Sequence, residues 1–150
     1  MKIDMSKSKE IIGEEAKLAA VEHDGDAIQY TNNPSEEVQL AAVRKNGYNL
    51  QYLHNPSEAV QLAAVEHDGD TIQYIHNPSE AVQLAAVEED GESIKYIHNP
   101  SEAVQLAALG NNPDAIRYFK RSWMADRAEE LTVEAIEKLL GCKIKIVSAD

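Results

Sequence analysis

The chain has 150 residues, 43% hydrophobic and 27% charged, which is enough apolar material for one domain with a buried core. Its formal net charge of −12 argues against nonspecific binding to nucleic acid or an anionic membrane, since each phosphate contact needs a Lys or Arg, and it points to a basic partner. A single cysteine, Cys142, excludes an internal disulfide, and no stretch approaches the roughly 20 apolar residues of a membrane span.

Residues 1–10, "MKIDMSKSKE", form a polar N-terminal segment without the apolar run of a signal peptide, and together with the lone thiol this leads us to expect a reducing cytoplasm. Residues 11–120 are repetitive. The word "NPSEAVQLAA" starts at Asn55, Asn77 and Asn99, and "NPSEEVQLAA" starts at Asn33, always 22 residues apart. A diverged copy precedes them at 11–32; it lacks the Asn-Pro start but keeps Leu18, Ala19, Ala20, Val21, Gly25, Ile28 and Tyr30 in register. Five units therefore span 11–32, 33–54, 55–76, 77–98 and 99–120, and such a period marks a stacked array.

Each unit reads as two helices. In the central unit, Asn55 is placed to cap the first helix, with Pro56 at its first position and Glu58 completing a capping box. The helix runs through "SEAVQLAAVEH" to Asp68-Gly69, where Gly69 is expected to turn left-handed and Asp70 to cap the second helix, "TIQYIH". Helical angles put Val60, Ala63 and Ala64 on one side of the first helix and Leu62 and Val65 on the other; in the second, Ile72, Tyr74 and Ile75 share an apolar arc while Gln73 and His76 face solvent. A helix of barely two turns is not stable alone, so stability must come from stacking unit on unit.

Short paired helices with an Asn-Pro start and a Leu-Ala-rich first helix resemble HEAT-like and leucine-rich-repeat-variant solenoids, and more closely the repeat arrays of unassigned function in bacterial and phage proteins. The resemblance covers residues 11–120. It implies an all-α, right-handed αα-solenoid that works as a nonenzymatic binding scaffold, and it transfers no site residue by residue.

Residues 121–150 leave the repeat. "RSWMADRAEELTVEAIEKLLG" reads as a helical cap with Thr132 at its N-cap, Gly141 as terminator and Trp123 packed on the last unit. "CKIKIV" then alternates as a short strand, whose Ile144 and Ile146 are candidates for self-association, giving a homodimer through the tail.

No catalytic, cofactor or metal site is expected. His54, His76 and His98 recur once per unit, about 10 Å apart, too far to share a zinc ion with bonds near 2 Å. The "HDGD" turns at His23 and His67 lack the remaining ligands of a calcium loop, and Cys142 has no activating neighbour beyond Lys143.

Variation between units is concentrated in the turn joining the two helices. Units 55–76 and 77–98 differ only at His67/Glu89, Asp70/Glu92, Thr71/Ser93 and Gln73/Lys95. Units 11–32, 55–76 and 77–98 each carry a formal charge of −4, and the other two carry none. Glu22, Asp24, Asp26, Glu66, Asp68, Asp70, Glu88, Glu89, Asp90 and Glu92 are therefore expected to line one acidic edge, interrupted by Arg44, Lys45 and Tyr48, that meets a protein with a basic surface. Turns also vary simply because they are exposed. A sharper version of this reading makes the partner a nucleic-acid-binding enzyme, with the edge imitating a phosphate backbone as a phage inhibitor of a bacterial defence nuclease would. An alternative is nucleic-acid binding through a second surface that becomes basic toward the C-terminus: Gln73, His76, Lys95, His98, Arg117 and Lys120.

Overall fold

The computed structural model describes residues 13–119, which form ten helical segments in alternation. Five α-helices, α1 (Glu14–His23), α2 (Glu36–Lys45), α3 (Glu58–His67), α4 (Glu80–Glu89) and α5 (Glu102–Asn111), are each followed by a 3₁₀-helix: η1 (Gly25–Tyr30), η2 (Gly47–Tyr52), η3 (Gly69–Tyr74), η4 (Gly91–Tyr96) and η5 (Pro113–Tyr118). Each α-helix packs on the α-helix of the next unit, and each 3₁₀-helix lies against both the next 3₁₀-helix and the next α-helix. The described residues are thus an all-α repeat array. The expected cap with Thr132, Gly141 and Trp123, the tail residues Ile144 and Ile146, and Lys120 lie outside them.

The polar letters of the repeated word have separate physical tasks. Asn33, Asn55, Asn77 and Asn99 take φ between +46° and +54°, the left-handed conformation that Asn tolerates better than most residues with a Cβ. The helix cap is therefore not Asn55, as expected, but the serine two residues on: Ser35, Ser57, Ser79 and Ser101 have extended backbones and accept hydrogen bonds from the amides of Val38, Val60, Val82 and Val104. The glutamate that follows reaches into the next unit, where the hydroxyls of Ser57, Ser79 and Ser101 donate to Glu36, Glu58 and Glu80. Gln39, Gln61, Gln83 and Gln105 turn back and donate to the carbonyls of Pro34, Pro56, Pro78 and Pro100 at 2.9 Å, tying each loop to its own helix.

The first unit lacks this start and uses a different device. Lys17, only 8% exposed, donates to Glu14 at 2.8 Å and to the carbonyl of Asn32 at 2.7 Å, while the other carboxylate oxygen of Glu14 accepts from the Ser35 amide at 3.1 Å. The Glu–Ser contact of the later junctions is thus kept here, and an ion pair is added to it.

One residue both ends each α-helix and starts each 3₁₀-helix. Asp24, Asn46, Asp68, Asp90 and Asn112 are extended, donate their own amide to the carbonyl of Ala20, Ala42, Ala64, Ala86 or Ala108, and accept with their side chains from the amide two residues on. Asp68, rather than Asp70, is the cap of η3. Nor does Gly69 turn left-handed: among the described glycines only Gly13 has a positive φ. Gly69 and Gly91 are required because the next unit lies against them, and a Cβ there would meet the carbonyl oxygens of Ala86 at 2.4 Å and Ala108 at 2.5 Å.

The core runs the length of the array as three buried rows. Val38, Val60, Val82 and Val104, then Ala42, Ala64, Ala86 and Ala108, and Val21, Val43, Val65 and Val87 are each at most 1% exposed, with Ile28, Leu50, Ile72 and Ile94 closing the rows from the 3₁₀ side. The expected faces are corrected accordingly. Val60, Ala64 and Val65 form the seam; Leu62 and Ala63 are half-buried; and Tyr74, placed on the apolar arc, is 41% exposed. The cause is the second helix's 3₁₀ winding: with three residues per turn instead of 3.6, Thr71 and Ile72 turn inward and Gln73 and Tyr74 outward.

Candidate functional site

The turn between α-helix and 3₁₀-helix builds a ridge along one edge of the array, and the expected acidic residues divide there into three groups. Asp24, Asp68 and Asp90 are the caps just described, and Asn46 and Asn112 do the same work uncharged. Their carboxylates are accounted for by local folding.

Asp70 and Glu92 form the second group, engaged across unit boundaries. Asp70 accepts from the Ser93 hydroxyl at 3.0 Å and from Lys95 at 3.2 Å. Glu92 accepts from Arg117 at 3.3 Å and from the Tyr118 hydroxyl at 3.4 Å. Two residues of the basic surface, Lys95 and Arg117, are thereby brought onto the acidic edge. Both also cover rings: the Lys95 ammonium lies 4.8 Å from the centre of Tyr96, and the Arg117 guanidinium 5.6 Å from that of Tyr118. Burial, the largest single influence, would lower the Lys95 pKa, but the hydrogen bond to Asp70, the Asp70 charge and Tyr96 together outweigh it and hold the ammonium above its ordinary value.

Glu22, Asp26, Glu66, Glu88 and Glu89 form the third group. Their side chains are exposed, and among the described residues none of these carboxylates has a Lys or Arg nitrogen within 4 Å. Arg44 and Lys45 close α2 on the same ridge, where cations favour the helix C-terminus, and both are exposed. Tyr48 stands where the other units carry Asp26, Asp70, Glu92 and Asp114. It is half-buried with its ring edge-on to Tyr74, centres 6.1 Å apart, and burial, with the charges of Asp68 and Asp70, raises its hydroxyl pKa.

Gln73, His76 and His98 are exposed, and Gln73 donates to the Asp70 carbonyl at 2.9 Å. His54 and His76 line a groove of about 360 Å³ together with Asn55, Pro56, Gln61 and Tyr74. Among the described residues no group of three or more His, Cys, Asp or Glu side chains is placed to hold a metal ion, and no helix is long and apolar enough to cross a membrane.

Sequence reasoning missed a column of tyrosines. Tyr30, Tyr52, Tyr74 and Tyr118 are 38–50% exposed and Tyr96 is half-buried, one per unit at the end of each 3₁₀-helix. Their 22-residue recurrence was visible, but an α-helical wheel assigns the position to the core. Comparison with protein-family models, curated proteins and solved structures finds no match.

Proposed function

We propose that the protein is a nonenzymatic binding scaffold that presents its acidic turn ridge to a basic surface on a protein partner. The observation that carries this reading is the third group of carboxylates: Glu22, Asp26, Glu66, Glu88 and Glu89 are exposed along one edge without cationic partners among the described residues, while the capping and cross-unit acids beside them are engaged within the fold. Unpaired surface carboxylates on one edge sum to a field that steers a cationic partner. Resemblance to short-repeat solenoids supports a binding role, and the scaffold supplies a rigid, evenly spaced surface.

The test is kinetic. With a partner captured from the native host, replacing Glu22, Glu66, Glu88 and Glu89 by Gln and Asp26 by Asn is expected to slow association and flatten its salt dependence, because exposed charges act mainly on encounter. None of these side chains supports the fold, so helical content is expected to be retained. Unchanged association at low salt would place the interface elsewhere.

A further inference from the structure

The four junctions between units share one arrangement, and it is complete at two of them. At the third junction, between the units at 55–76 and 77–98, it comprises the carboxylate of Asp70, the ring of Tyr96 and the ammonium of Lys95 between them. At the fourth it comprises Glu92, Tyr118 and Arg117. A cation thus sits between a carboxylate of one unit and a tyrosine of the next, satisfied by both. At the second junction Tyr48 replaces the carboxylate, and its ring packs edge-on to Tyr74.

By register the first junction has the carboxylate and the ring but no cation at the position of Lys95 and Arg117; Lys45, whose Cβ lies against Gly25, makes no ion pair with Asp26. Asp26 is 44 residues before Asp70, and Tyr52 is 44 before Tyr96, so they are the same pair two units earlier. The intervening position holds Gln51, whose side chain turns onto its own backbone and donates to the Tyr48 carbonyl at 3.0 Å. The carboxylates differ in burial: Asp70 and Glu92, which have cations, are half-buried, whereas Asp26 is exposed; the rings do not divide in this way, since Tyr96 is half-buried but Tyr118 is 38% and Tyr52 41% exposed.

We propose that the Asp26–Tyr52 junction is a seat for an arginine or lysine side chain of a partner protein, which binds there as Lys95 and Arg117 bind at the later junctions. The chain itself shows that this geometry accepts both an ammonium and a guanidinium. The inference rests on the proposed acidic-ridge function and names the point on the ridge where a basic partner is anchored. A carboxylate beside a ring is selective for a cation because the ion pair and the ring face act on the same group.

The probe is an acetylated, amidated, fluorescein-labelled tetra-arginine peptide, followed by anisotropy at low salt, with the Tyr52 ring signals followed by NMR. Tyr52→Leu removes the ring without changing charge, Gln51→Lys fills the seat from within, and Glu88→Gln matches the charge change of Gln51→Lys at a distance. Tyr52→Leu and Gln51→Lys are each expected to weaken binding about two- to fivefold relative to wild type and Glu88→Gln, the range of one exposed cation–π contact. The peptide should shift the Tyr52 ring signals in the wild type. If both variants bind no more weakly than Glu88→Gln while the five-carboxylate variant loses the peptide, the seat is wrong and the ridge stands. If the five-carboxylate variant also binds normally, or the wild type does not bind, both are overturned.

Discussion

A Cβ on Gly69 would lie 2.4 Å from the carbonyl oxygen of Ala86 in the following unit, and 2.8 Å from the Ser93 hydroxyl. The first contact is with helical backbone, which cannot swing aside, so the stacking distance depends on the missing side chain. Gly69→Ala is therefore expected to cost about 3 kcal/mol, the upper end of what overpacking costs. Gly110 has no atom within 4 Å of the same construction and lies inside α5, so Gly110→Ala is expected to be neutral or stabilising by up to about 1 kcal/mol. Denaturant melts of the two variants decide; equal effects would mean that the units do not stack through this glycine.

The assignment of the helix cap to serine has its own consequence. Ser79→Ala removes the acceptor for the Val82 amide and the hydroxyl that donates to Glu58, and is expected to destabilise by about 1–2 kcal/mol. Asn77→Gly keeps the left-handed turn available and is expected to change stability by less than about 0.5 kcal/mol. A costly Asn77→Gly with a silent Ser79→Ala would restore the cap to asparagine.

The buried rows predict which apolar truncations matter. Ile72, 2% exposed, is expected to cost about 2–5 kcal/mol when replaced by Ala, whereas Tyr74→Ala at 41% exposure is expected to cost much less, and Leu62→Ala to fall between them. Urea unfolding midpoints at constant m-value rank the three directly. A Tyr74→Ala loss as large as that of Ile72→Ala would bury the tyrosine column.

The boundaries of the units and the all-helical stacking were legible because a 22-residue word repeated almost unchanged leaves few alternatives. The finer placements were not, for identifiable reasons. Asn and Ser are both good caps, and sequence alone does not reveal that the Asn has gone left-handed. A six-residue 3₁₀-helix has no sequence period distinct from a short α-helix, so the tyrosines were assigned to the wrong side. Acidity at the turns was legible as composition, but its division into caps, cross-unit pairs and unpaired carboxylates depends on reach between units. Lys95, for instance, meets an acid 25 residues earlier, a spacing set by stacking.

The ion pair added to the Glu–Ser contact at the first junction makes stability depend on pH. A hydrogen bond from Lys17, with further bonds from Ser35, holds the Glu14 carboxyl at about 2, below its ordinary 4.5. A carboxyl depressed in the folded state adds stability above its unfolded pKa and gives it up as the pH falls through the folded one. The contribution of Glu14 is thus complete above about 4.5 and fades as the pH approaches 2. Glu14→Gln keeps the size of the side chain but not the charge, so wild type is expected to be the more stable at pH 7, with the gap closing on acidification. Other carboxylates titrate in both proteins, and the difference between their unfolding midpoints at pH 7, 4.5, 3 and 2 isolates this one. A gap that stays constant across that range would show that the charge on Glu14 does not support the junction, and a variant as stable as wild type at pH 7 would remove the ion pair from the list of contacts that hold the first unit in place.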